Sequence, residues 1–203
     1  MSSKEQTENK NLTRRKVLTA ATGVLGAAGA TFVAVPFVSS WQPSEKAKAA
    51  GAPVDADLSL LSPGQMLTVS WRGKPVWVVR RTTEMLSILP TLDNELRDPN
   101  SDNSVQPEYC KNEVRALNEE YLVVVGVCTH LGCAPMYRPA VDSPDMAKGW
   151  KGGFFCPCHG SSFDLAGRVF QGVPAPTNLE IPPYRYVSDS VIRVGENPEE
   201  GVV

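Results

Sequence analysis

Two six-residue boxes set thiols and imidazoles at ligand spacing. They are Cys128-Thr129-His130-Leu131-Gly132-Cys133 and Cys156-Pro157-Cys158-His159-Gly160-Ser161. Each box offers one cysteine and one histidine, plus one spare cysteine. Two thiolates and two imidazoles can hold a two-iron cluster. Neutral imidazoles then replace anionic thiolates on one iron, so the site is less negative and takes an electron more readily. Its potential lies at about −150 to +300 mV, against about −400 mV for an all-thiolate site. Two Cys and two His satisfy tetrahedral zinc as well. Zinc alone gives no reason for the spare cysteines at matching places, nor for the Gly160-Ser161 that closes the second box.

The pattern C-x-H-x-x-C followed by C-x-C-H-G-S resembles the Rieske family. The form it resembles is the bacterial iron–sulfur subunit of quinol–cytochrome c reductase, the cytochrome bc1 complex. Gly167-Arg168 and the proline loop Gly172-Val173-Pro174-Ala175-Pro176 extend the resemblance, as does Asn178 to Tyr184. It is weakest across about residues 90 to 120. The resemblance implies one [2Fe-2S] cluster, with Cys128 and Cys156 on one iron and His130 and His159 on the other. It also implies a disulfide between Cys133 and Cys158, tying together two loops that would otherwise be mobile. Rieske-type ferredoxins lack those extra cysteines.

Around the boxes, the resemblance assigns further roles. Ser161 would donate a hydrogen bond to a cluster sulfur and raise the potential; the plain alternative is a turn serine. Leu131 would shield the cluster or meet a partner; the plain alternative is packing. Phe163 stands where respiratory relatives often carry a tyrosine, so a donor is missing and a lower potential is expected. Pro174 and Pro176 would stiffen the covering loop. His159, with His130, is the implied catalytic group. It would take a hydrogen bond and a proton from quinol held in a cytochrome b subunit, and the electron would pass to a membrane-bound c-type cytochrome. Cys110 is left over and reads as a buried free thiol.

The N-terminus carries the address. Residues 1–16 are polar, and Thr13-Arg14-Arg15-Lys16-Val17-Leu18 resembles a twin-arginine export signal. A charge-free run from Val17 to Val38 follows, enough at about 1.5 Å per residue to cross a hydrocarbon core of about 30 Å. The basic cluster before it predicts a cytoplasmic N-terminus and a periplasmic head, on a single-pass anchor in the bacterial inner membrane. Ala47-Lys48-Ala49 resembles a cleavage site, but the apolar run exceeds the about 7–15 residues of a signal core. Retention is the expectation. Residues 39–53 read as a flexible linker and hinge.

The head, residues 54–203, has the size of one domain. The chain is formally −2. The first sixteen residues hold five positive and two negative charges, which leaves the remainder at −5 and argues against nucleic-acid binding. No Walker motif, dinucleotide glycine motif or repeat is present. The head reads as mainly β. Strands are expected at Gly64 to Ser70, Pro75 to Arg80, Tyr121 to Val127, Gly153 to Phe155, Tyr184 to Val187 and Val191 to Val194. A short helix is expected at Thr83 to Leu89, loop from Asp93 to Pro107, and a helical turn or two within Lys111 to Glu119. Trp71, Trp77 and Trp150 read as packing residues. This pattern fits an antiparallel barrel or sandwich, and the resemblance adds a small cluster-binding subdomain at about 126–177. Two rivals share some of these features: the Rieske subunit of an exported molybdenum oxidase, and a metal-binding or electron-carrier domain without catalysis.

Overall fold

The computed structural model describes residues 3–198. It divides into two units, one ending at Lys48 and the other beginning at Ala49. In the first, helix α1 runs from Ser3 to Ser39, so the polar start and the apolar run share one helix. Its part Thr13–Ser39 is long and apolar enough to cross a membrane, and 27 residues reach about 40 Å. Thr19, Thr22 and Thr31 each donate to the carbonyl four residues earlier, at 2.9 Å. Those hydroxyls therefore need no water in an apolar layer. Within the segment read as linker, Glu45–Ala50 forms the short helix α2. Ser44 Oγ caps it by accepting from Ala47 N, and Ala and Lys are good helix formers.

The head is built of three antiparallel three-stranded sheets. In the first, β1 (Val54–Asp57) and β8 (Tyr184–Ser188) flank β9 (Val191–Val194). In the second, β2 (Met66–Trp71) and β4 (Tyr121–Val125) flank β3 (Lys74–Arg80). The third holds β5 (Met136–Arg138), β6 (Gly153–Phe155) and β7 (Ser162–Phe163). The apolar runs Val76–Val79 and Leu122–Val125 are fully buried, as continuous hydrophobic strands must be. Arg72 and Gly73, both at positive φ, turn β2 into β3, which suits a two-residue hairpin. All three tryptophans expected to pack are buried. Trp77 stacks on Phe154, with ring centroids 5.4 Å apart.

Three local expectations need correction. The strand before the first box ends at Val125, because Val127 N turns back to Val125 O. The helix α3, Thr83–Ile88, runs straight into a 3-10 helix, Leu89–Glu95, which covers the start of the expected loop. Pro90 suits that start, since it lacks a donor. Lys111 to Glu119 is not helical. Asn112 staples a turn there instead, donating to Ala116 O and accepting from Ala116 N, and Arg115 sits at positive φ. Such side-chain bonds compete with helix. A 3-10 turn forms earlier, at Glu108–Cys110.

Candidate metal centre

The two boxes fold into the same backbone frame. Strand β4 feeds the first loop, and β6 feeds the second. Cys128 N donates to Cys133 O at 2.8 Å, and Gly132 N to Cys128 O at 3.0 Å. Cys156 N donates to Ser161 O at 2.8 Å, and Gly160 N to Cys156 O at 3.0 Å. Both frames turn on a glycine at φ near +80°, Gly132 and Gly160, where a Cβ would be strained. Cys133 and Cys158 form a disulfide joining the loops across 25 residues of chain. Closing a loop of that size constrains the unfolded chain by about 3–4 kcal/mol.

The histidine falls one place later in the second frame than in the first. The imidazole rings of His130 and His159 lie 4.8 Å apart, nearly perpendicular. His159 is exposed and His130 half-buried. Cys128 and Cys156 are free thiols and buried. Burial pushes the Cys128 thiol up, and the neighbouring Cys156 sulfur pushes it the same way. His130 Nδ1 is buried without a hydrogen-bond partner. An orphaned ring nitrogen costs about 1–3 kcal/mol, and its lone pair suits a metal ion. The donor set therefore fits a site with two sulfur and two nitrogen ligands. Cys133, Cys156 and Cys158 place their sulfurs within 4.8 Å of one another. Two of those sulfurs are spent in the disulfide, so the trio offers one free thiol.

Neighbouring residues fix the loops. Ser161 is fully buried, and its Oγ accepts from Ala175 N at 3.0 Å. The Ser161 hydroxyl opposes the upward shift at Cys128 and pulls that thiol down. Thr129 Oγ1 donates to Thr177 O at 2.7 Å, tying the first box to the far end of the proline loop. In that loop Pro174 and Pro176 face outward while Ala175 is buried. Leu131 is 72% exposed, beside the histidines rather than packed in the core. Phe163 is fully buried and pairs across the sheet with Phe154.

Beneath the second loop lies a charged core that the sequence reading did not find. Asp164 is fully buried. Its carboxylate accepts from Ala166 N, Arg168 N and Arg168 Nε at 2.8–2.9 Å. Arg168 also donates to Asp93 and to Leu89 O. Arg115 donates to Ala166 O, Gly167 O and Leu179 O, and Arg81 to Val114 O, Leu165 O and Glu119 O. Burial pushes Arg81 and Arg115 down, and the Asp164 charge opposes it. Arg81 and Arg115 thereby satisfy the carbonyls of Leu165, Ala166 and Gly167, in the turn that follows the second box, as buried polar groups require.

Residues 52–184 match the family described as the Rieske [2Fe-2S] domain. Residues 4–44 match the "Ubiquitinol-cytochrome C reductase Fe-S subunit TAT signal". The chain is 58% identical over 187 residues to the ubiquinol-cytochrome c reductase iron-sulfur subunit of Allochromatium vinosum, covering 92% of this chain and 90% of that one. It is 42% identical to the subunit of the same name from Bradyrhizobium diazoefficiens, covering 90% and 94%. A solved structure titled "Hyperthermophilic respiratory Complex III" is 28% identical, with a TM-score of 0.47, covering 85% of this chain and 98% of that one.

Proposed function

Because the chain belongs to the Rieske iron–sulfur subunits of ubiquinol–cytochrome c reductase, we propose which of its residues carry the subunit's work. Cys128 and Cys156 hold one iron of the [2Fe-2S] cluster, and His130 and His159 the other. When bound, the cluster supplies a one-electron acceptor of high potential for its type. The disulfide Cys133–Cys158 holds the two loops at fixed spacing. Ser161 donates to a cluster sulfur. Leu131 keeps water from the imidazoles and offers apolar contact to a partner.

His159 is the catalytic group in this reading. One ring nitrogen binds iron, and the outer one accepts a hydrogen bond from quinol and then holds its proton. His130 completes the pair. The observation that carries this assignment is the exposure of His159 beside a buried, unpartnered His130 Nδ1. The partners are a cytochrome b subunit, which binds the quinol, and a c-type cytochrome subunit, which receives the electron. Helix α1 is retained as a single-pass anchor in the inner membrane, with the N-terminus cytoplasmic and the head periplasmic. The basic residues before the apolar run support that orientation.

The test is a His159→Ala variant of the whole complex. Loss of both the reduced-cluster EPR signal and quinol oxidation is expected. Quinol oxidation at the normal rate with an unaltered cluster spectrum contradicts the assignment.

A further inference from the structure

The proline loop cannot hold itself. Between Val173 and Thr177, Pro174 and Pro176 supply no N–H, and Ala175 N is committed to Ser161 Oγ. The loop's carbonyls must therefore find donors elsewhere. Thr129 serves Thr177 O. The carbonyls of Ala175 and Val173 are both served by one side chain, Arg97, whose Nη1 and Nη2 donate at 2.7 and 2.8 Å.

Arg97 lies far from both boxes in sequence, in the stretch where family resemblance is weakest. Its mount is firm. Arg97 N donates to Val169 O, and Gln171 N to Glu95 O. Leu96 bridges Phe170, and Gln171 Nε2 reaches Leu96 O. On its other side, the Asp98 carboxylate gathers Asp102 N, Asn103 N and Ser104 Oγ. Among the described residues no carboxylate pairs with the Arg97 guanidinium. It differs in this from the buried Arg168, which holds the turn through Asp164. A planar fork reaches two carbonyls at once, which a single ammonium cannot do with the same geometry.

We propose that Arg97 is a positioning residue for the redox centre: it pins Val173 and Ala175, and so holds Ala175 N–H on Ser161 Oγ and leaves the Ser161 hydroxyl proton free to turn to a cluster sulfur. A hydroxyl has one proton to give. With the oxygen fixed by Ala175, that proton is left for the sulfur. Freed from Arg97, the loop shifts and Ser161 loses its orienting donor. The inference rests on the site reading above, in which Ser161 donates to a cluster sulfur.

The test uses the intact complex with Arg97→Gln, Arg97→Lys, Ser161→Ala and the Arg97→Gln/Ser161→Ala pair. A hydrogen bond to a charged group corresponds to about tenfold in an equilibrium constant. Arg97→Gln is therefore expected to disfavour cluster reduction about tenfold, about 59 mV for one electron. Deuterium uptake across 173–177 should rise with it. Arg97→Lys, which keeps the charge without the fork, should recover only part of the shift. The double variant should match Ser161→Ala alone, since both remove the same bond. An unchanged potential in Ser161→Ala overturns the site reading underneath. A shift there, with none in Arg97→Gln, overturns the proposal alone, as does full additivity of the pair. Cluster loss from both Arg97 variants also overturns it, by placing Arg97 in assembly rather than tuning.

Discussion

The two boxes share a backbone and differ in what surrounds them. Each closes with the same pair of hydrogen bonds, at the same distances, around a glycine at positive φ. The first is tied to the proline loop by a half-buried threonine. The second is tied by a buried serine and stands on Asp164 and the guanidinium of Arg168. One histidine is half-buried and the other exposed. A one-residue offset within a repeated frame thus yields one imidazole held inward and one presented outward. The lesson is that near-symmetric loops can do asymmetric chemistry when their supports differ.

The largest break in that comparison should come from below the second loop. Arg168→Met leaves Asp164 charged and buried without its partner, and removing one member of a buried pair costs about 3–5 kcal/mol. Thermal melting of the purified subunit should show the loss, with hydrogen exchange rising first around the second box. Opening the disulfide with Cys133→Ser should cost about 3–4 kcal/mol. There exchange should rise in both loops together, because the bridge serves both.

Smaller changes separate potential from stability. Thr129→Val should cost about 1 kcal/mol and leave the potential in place, since its hydroxyl goes to Thr177 O. Phe163→Tyr should raise the potential in a redox titration by restoring a donor toward a ligand sulfur. An unchanged midpoint rules that account out.

A further effect lies away from the boxes, at the third free thiol. Burial pushes Cys110 up to about 11, and its sulfur contacts Tyr184 Oη at 3.7 Å. A thiol raised on folding stays protonated below its unfolded value near 9. Its contribution to stability is then complete, and it fades as pH rises from about 9 to 11. Urea titrations at pH 8 and pH 10.5 should show that decline, and a Cys110→Ala variant should show less of it.

Legibility in the sequence followed the range of the interactions. The boxes were readable because ligand spacing is local, and the chain's two histidines both sit in them. Strands β3 and β4 were readable because an unbroken run such as Val76–Val79 must be buried. The supports were not readable. Arg81, Arg97, Arg115 and Arg168 look like surface charges, and nothing nearby in sequence shows which carbonyls they will meet. Arg81 finds Leu165 O and Arg97 finds Ala175 O, each more than seventy residues away. The expected turn of helix in Lys111 to Glu119 failed for a local reason of its own, the Asn112 staple.

The central claim is that two imidazoles and two thiolates hold a pair of irons at paired loops. It is tested most directly by metal analysis and EPR of the dithionite-reduced full chain carrying nitrogen-15 histidine. The expected result is two irons per chain and a one-electron signal coupled to two histidine nitrogens. One zinc per chain with no signal, or a signal coupled to no histidine, contradicts it.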